Sequence, residues 1–188
     1  MRVDLPMIDG ARRRQLVGIT FYVALGLAIL FLRLLPLNPG KVSWPGPDLL
    51  LCLTFAWILR RPEQVPALIV AAMFLVEGLL LLKPIGLWAA IVLMATEIAR
   101  RNEHRWRDQP FLLEWLRIGL LVLGAVMLDR IVQAAFFVPQ TLAPRPPLGQ
   151  VLMNVIATVA AYPLVVLAAR WLVGLRRAPP GNLAATGI

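Results

Sequence analysis

Six apolar stretches, separated by short loops rich in charge or proline, set the strongest limit on what this chain can fold into. They run Leu16–Leu32, Asp48–Leu59, Pro66–Leu82, Pro84–Ala99, Phe111–Phe137 and Leu148–Leu175. A hydrocarbon core about 30 Å thick asks for about 20 helical residues. The last two stretches exceed that length, and the second, third and fourth fall short of it. Because lipid leaves no water to satisfy backbone N–H and C=O groups, each crossing has to be helical or be shielded by neighbouring protein. A chain that is 60% apolar and only 15% charged lies outside the range of soluble domains. The reading is an all-α polytopic membrane protein of six transmembrane helices in one domain, residues 1–175. Its spans are expected near 16–35, 44–60, 66–82, 84–99, 111–137 and 148–175. The tail 176–188, "RRAPPGNLAATGI", has no apolar face and is expected to be disordered. Arg12, Arg13 and Arg14 precede the first stretch, but no small-residue cleavage site follows it. It is therefore expected to be a retained helix and not a signal peptide.

Charge gives the orientation. Of the 19 basic residues 17 are arginine, and the formal net charge is +9. They gather between the apolar stretches, which points to topology and away from nucleic-acid binding. With the N-terminus in the cytoplasm, the inner segments carry Arg2, Arg12, Arg13, Arg14, Arg60, Arg61, Arg100, Arg101, Arg105, Arg107, Arg176 and Arg177. The outer segments carry only Arg33, Lys41, Lys83 and Arg145. Twelve against four requires an even number of crossings with both termini inside. The short second stretch must then cross.

The residues needed for most catalysis are missing or misplaced. The only serine, Ser43, falls on the outer side and the only histidine, His104, on the inner side, so no Ser–His pair can form. The chain has no glycine-rich phosphate loop, no H-E-x-x-H and no C-x-x-C. Its single cysteine, Cys52, excludes an internal disulfide and a cysteine-cluster metal site. "DGARR" at Asp9 resembles the opening of a phosphoalcohol transferase, but no ladder of carboxylates follows. The expectation is a protein that is not an enzyme, with no cofactor and no metal.

Polar groups inside the apolar stretches are the remaining candidates. Glu77 falls about 16 Å along the third helix, counted from Pro66 at 1.5 Å per residue, near mid-membrane, where a lone carboxylate is either protonated or faces a polar partner inside the bundle or on another protein. Glu97 precedes Arg100 and Arg101, and Glu114 precedes Arg117, at spacings that allow helix-surface ion pairs. Asp129 and Arg130 lie near a helix end and can snorkel. On the sixth helix Gln150, Asn154 and Thr158 share one face, and Ala24 and Ala28 form a small-residue pair on the first; such faces let helices approach closely.

The second stretch has a sharper signature. The twelve residues "DLLLCLTFAWIL" (48–59) rise only about 18 Å as α-helix. The preceding "VSWPGP" cannot propagate a helix. Asp48 is expected to be an N-cap on a helix starting within two residues of it, preceded by irregular chain that is packed inside the bundle or lies beside a thinned bilayer. Arg60, Arg61 and Pro62 mark the inner end, where the arginines anchor the helix and the proline stops it.

"PDLLLCLTFAWILRRP" (47–62) resembles the signature of the bacterial rod-shape-determining family MreD, a Pro-Asp-Leu apolar run ending in an aromatic and Arg-Arg-Pro. "MFLVEGLLLLKPIGLWA" (73–89) looks like that family's acidic helix followed by Pro-Leu-Gly. The resemblance is carried by Pro47, Asp48, Trp57, Arg60, Arg61, Pro62, Pro84, Gly86 and Leu87. Glu77 stands where the family more often has aspartate, and Ile85 where it has leucine. The resemblance implies a noncatalytic scaffold of the cell-elongation complex in the bacterial inner membrane. Its direct partner would be MreC. Through that complex it would meet MreB, RodA and RodA's penicillin-binding transpeptidase. Candidate contact or structural residues are Asp48, Arg60, Arg61, Pro62, Glu77, Gly86, Gln150, Asn154 and Thr158. The fold expected is similar to the six-helix substrate-binding subunits of energy-coupling-factor vitamin transporters. A vitamin-type substrate-binding subunit is accordingly the alternative function.

Overall fold

A computed structural model describes residues 7–35, 46–84, 86–107, 110–136 and 146–173. Among these residues all regular structure is helical: α1 Met7–Leu34, α2 Leu49–Ile58, α3 Ala67–Leu80, α4 Leu87–Arg107, α5 Phe111–Ala135 and α6 Leu148–Val173, with one 3-10 turn at Pro62–Gln64. Three helices are long and apolar enough to cross a membrane: α1 over Gln15–Leu34, α5, and α6 over Leu148–Trp171. α2 and α3 are shorter apolar helices. The tail 176–188 and the chain 36–45, with Ser43 and Trp44, lie outside the described residues.

Two helices outrun their apolar stretches. α1 begins at Met7 and not near Leu16, and α4 continues to Arg107 and not to Ala99. Both additions, "MIDGARRRQ" and "RRNEHRWR", lack proline, so nothing in the backbone ends the helix where the greasy residues end.

Contacts between distant residues show that successive helices alternate in direction. At one end Gly18 of α1 meets Gln64, Arg100 of α4 donates to the carbonyls of Pro62 and Val65 (2.9 and 2.8 Å), and Glu114 of α5 pairs with Arg60. At the other end Arg33 of α1 reaches Glu77 of α3, Asn154 of α6 reaches Gly46, and Arg130 of α5 donates to the Pro146 carbonyl (3.1 Å). The first end is rich in arginine, and the second carries Lys83 and Arg33.

α2 is the axis of the bundle. Every residue from Leu50 to Ile58 is buried, with α6, α4 and α1 packed around it. α2 therefore has no lipid face along this run, and its ten residues, about 15 Å of rise, need not match the bilayer thickness. Trp57 and Tyr22 meet edge to face with centroids 5.8 Å apart. The Thr54 hydroxyl donates to Leu50 O (2.7 Å), so Tyr22 is the donor in its 2.9 Å bond to Thr54.

α6 contains Pro163. A proline there has no N–H for the carbonyl four residues back, which belongs to Val159. The Trp115 indole of α5 supplies the donor, 2.7 Å from Val159 O. A break in one helix ladder is thereby closed by its neighbour.

Candidate functional site

The entry into α2 is built as irregular chain held by a neighbouring helix. Asp48 is the N-cap, its carboxylate accepting from Leu51 N at 3.2 Å, and α2 starts at the next residue. α6 serves the backbone just before it. Asn154 Nδ2 donates to Gly46 O at 2.6 Å. The Asp48 amide donates to the Thr158 hydroxyl at 2.9 Å, and that hydroxyl passes its own proton to Asn154 O at 2.7 Å. Asn154 and Thr158 lie about 9–15 Å along α6 from its start, so this nonhelical segment sits within the length of a membrane-spanning helix. Backbone at that depth needs protein partners, and the α6 polar face provides them. Gln150, a turn nearer the end, is exposed.

Beside this segment lies a cluster of four charges. Glu77 is fully buried. Its Oε1 accepts from Arg33 Nη1 at 2.7 Å and from Lys83 Nζ at 2.9 Å, and Arg33 also lies 3.6 Å from Asp48 Oδ2. The cluster ties together the end of α1, the start of α2, the end of α3 and the α3–α4 connection. Lys83 further sits 5.1 Å from the centre of the Trp88 ring, a cation–π arrangement. Glu77 Oε2 and Trp88 Nε1 are buried without hydrogen-bond partners among the described residues.

Of the alternatives for Glu77, the structure supplies polar partners inside the bundle, Arg33 and Lys83. α3 has only 14 residues, so Glu77 stands three residues from its end, where these two cations reach it. The connection that presents Lys83 bends tightly. Lys83 N donates to Gly78 O (3.0 Å), Leu82 adopts φ 52 and Gly86 φ 84. Gly86 thus occupies a conformation that side chains disfavour, directly before α4.

At the other end of α2, Arg60 and Arg61 part company. Arg61 is exposed. Arg60 turns inward, donating to Ala56 O at 3.1 Å and to Glu114 Oε1 at 3.4 Å. Tyr162 donates to the same oxygen at 2.8 Å. Glu114 is thus buried in an interhelical node with Arg60 and Tyr162, a correction to the helix-surface position that its spacing to Arg117 suggested. Glu97 does pair with Arg100 and Arg101, each at 3.6 Å. Pro62 opens the 3-10 turn whose carbonyls receive Arg100.

The sequence candidates thus fall into two groups three-dimensionally. Asp48, Glu77, Asn154 and Thr158 meet at one end of α2, while Arg60, Arg61 and Pro62 mark the other. Arg33 and Lys83 were read from sequence only as loop charges, because they lie 44 and 6 residues from Glu77, separations that no helix-face rule links. Tyr162 and Trp115 had no signal beyond aromatic character. Among the described residues no group of three or more His, Cys, Asp or Glu could hold a metal ion. No family model matches the chain, and no curated protein or solved structure matches it significantly.

Proposed function

We propose that this protein is a noncatalytic membrane scaffold of the MreD type, which binds MreC and helps position side-wall peptidoglycan synthesis in the bacterial inner membrane, with both termini in the cytoplasm. The supporting observation is what the motif residues do. Asp48 caps the axial helix, Arg60 joins α2 to α5, Pro62 receives Arg100, Glu77 gathers three elements, and Gly86 makes the turn into α4. These residues hold a shape, and their polar atoms are largely turned on one another and away from a substrate. The α2 N-terminus could have received a ligand carboxylate in a transporter of broken-helix design. Asp48 already caps the Leu51 amide there, which favours the scaffold over the vitamin-binding subunit.

A shape-holding role for Asn154 and Thr158 leaves Gln150 as the member of that face free to meet a partner directly. The test is copurification in mild detergent with MreC, together with depletion in cells. The scaffold reading expects a retained complex and rounded cells. A chain that fails to retain MreC, or that carries a stoichiometric vitamin-sized adduct in native mass spectrometry, would overturn it. Gln150→Leu is expected to weaken the complex without lowering the melting temperature of the isolated chain.

A further inference from the structure

The arginines at the Arg-rich end divide by what they touch. Arg60 and Arg100 are committed internally, to Glu114 and Ala56 O and to the Pro62 and Val65 carbonyls. Arg12, Arg13, Arg61 and Arg170 are exposed, and none has an ion-pair or hydrogen-bond partner among the described residues. Arg101 is 79% exposed, with only a 3.6 Å contact to Glu97.

We propose that these exposed arginines form a girdle that binds anionic lipid headgroups. They are carried by α1, the α2–α3 connection, α4 and α6, elements placed on different sides of the axial helix. A protein partner meets one patch, whereas a lipid leaflet meets the whole perimeter. Guanidinium suits the ligand, since its planar fork donates two hydrogen bonds to one phosphate. Trp171, beside Arg170 on α6, is 85% exposed, and tryptophan at a helix end favours the headgroup layer. The extension of α1 carries Arg12 and Arg13 about 8–9 Å beyond Gly18. They can thus reach phosphates above the level of Arg61 and Arg101. This inference does not depend on the MreC partnership.

The experiment uses the full chain in nanodiscs of phosphatidylcholine, with and without phosphatidylglycerol, and reads the thermal unfolding midpoint. The expected result is a midpoint that rises with phosphatidylglycerol and falls back as salt is added, because surface electrostatics is screened. A variant combining Arg12→Gln, Arg13→Gln, Arg61→Gln and Arg170→Gln should match the wild type in phosphatidylcholine and lose most of the phosphatidylglycerol response. The Arg→Lys version should recover part of it. If the quadruple variant does not fold, native mass spectrometry of the wild type decides. Retention of phosphatidylglycerol several-fold above phosphatidylcholine supports the girdle, and equal retention overturns it. An unchanged wild-type midpoint also overturns it, as does a variant that keeps the full response. A variant that keeps the lipid response but loses MreC assigns these arginines to a protein contact and equally overturns the proposal.

Discussion

Replacing Trp115 by phenylalanine tests whether one helix repairs another. The substitution keeps a ring of similar width in the α5–α6 contact and removes only the indole N–H and part of the ring area. Val159 O then loses the Trp115 donor, and residue 163, a proline, has no N–H to replace it. A buried acceptor left unpaired costs about 1–3 kcal/mol, and Val159 lies about 16 Å along α6, near the middle of a span where water cannot compensate. In a Pro163→Ala background the alanine N–H is restored to its i−4 carbonyl, so Trp115→Phe should lose only packing, under about 1 kcal/mol. Comparing the mutation within each background cancels the intrinsic effect of the proline. The assay is reversible unfolding by denaturing detergent in mixed micelles, with all four proteins measured side by side. Equal costs in the two backgrounds would refute the idea that Trp115 completes the α6 ladder.

Three further outcomes follow from the same structure. In the node at the arginine-rich end of α2, Arg60→Met and Glu114→Gln each remove one side of a buried ion pair and should cost about 3–5 kcal/mol, with the glutamine at the low end because its amide oxygen still accepts from Tyr162. The double variant should be more stable than either single variant, and an additive double-mutant cycle would contradict this. Gly18→Ala places a Cβ 2.7–2.8 Å from Gln64, including its backbone-fixed Cβ, and should cost about 1–3 kcal/mol while disturbing the Trp57 bond to Gln64, seen as a tryptophan fluorescence shift. Gly26→Ala meets chiefly the mobile methyl of Met73 and should be near neutral, so equal losses at the two glycines would count against the packing described. Thr158→Val removes the acceptor of the Asp48 amide and should lower stability by about 1–3 kcal/mol, whereas Thr158→Ser should restore the thermal midpoint.

Much of the entry into α2 was legible because capping is local. Asp48 lies three residues from the amide it caps, and the Pro-Gly-Pro before it can only be nonhelical. The Glu97 pairs were legible for the same reason, since a helix sets residues three and four apart side by side. For Glu114 that rule was incomplete. Its i+3 neighbour was visible in sequence, but the Arg60 guanidinium 54 residues away was not. Glu77 was misplaced because a depth counted from Pro66 assumes that α3 spans the bilayer, and the helix ends three residues later.

The sequence by itself determined the class of molecule: a helical membrane chain whose apolar stretches and arginine clusters impose their own alternation, because the cost of moving charge into lipid is decided residue by residue. The tertiary structure decided which helix lies at the centre and which polar groups meet. Nine buried residues make α2 an axis only because other helices surround it. The partners of Glu77, Glu114 and Val159 O become visible only in the packed bundle, because hydrogen bonds between helices depend on crossing and rotation, and no periodicity along the chain records either.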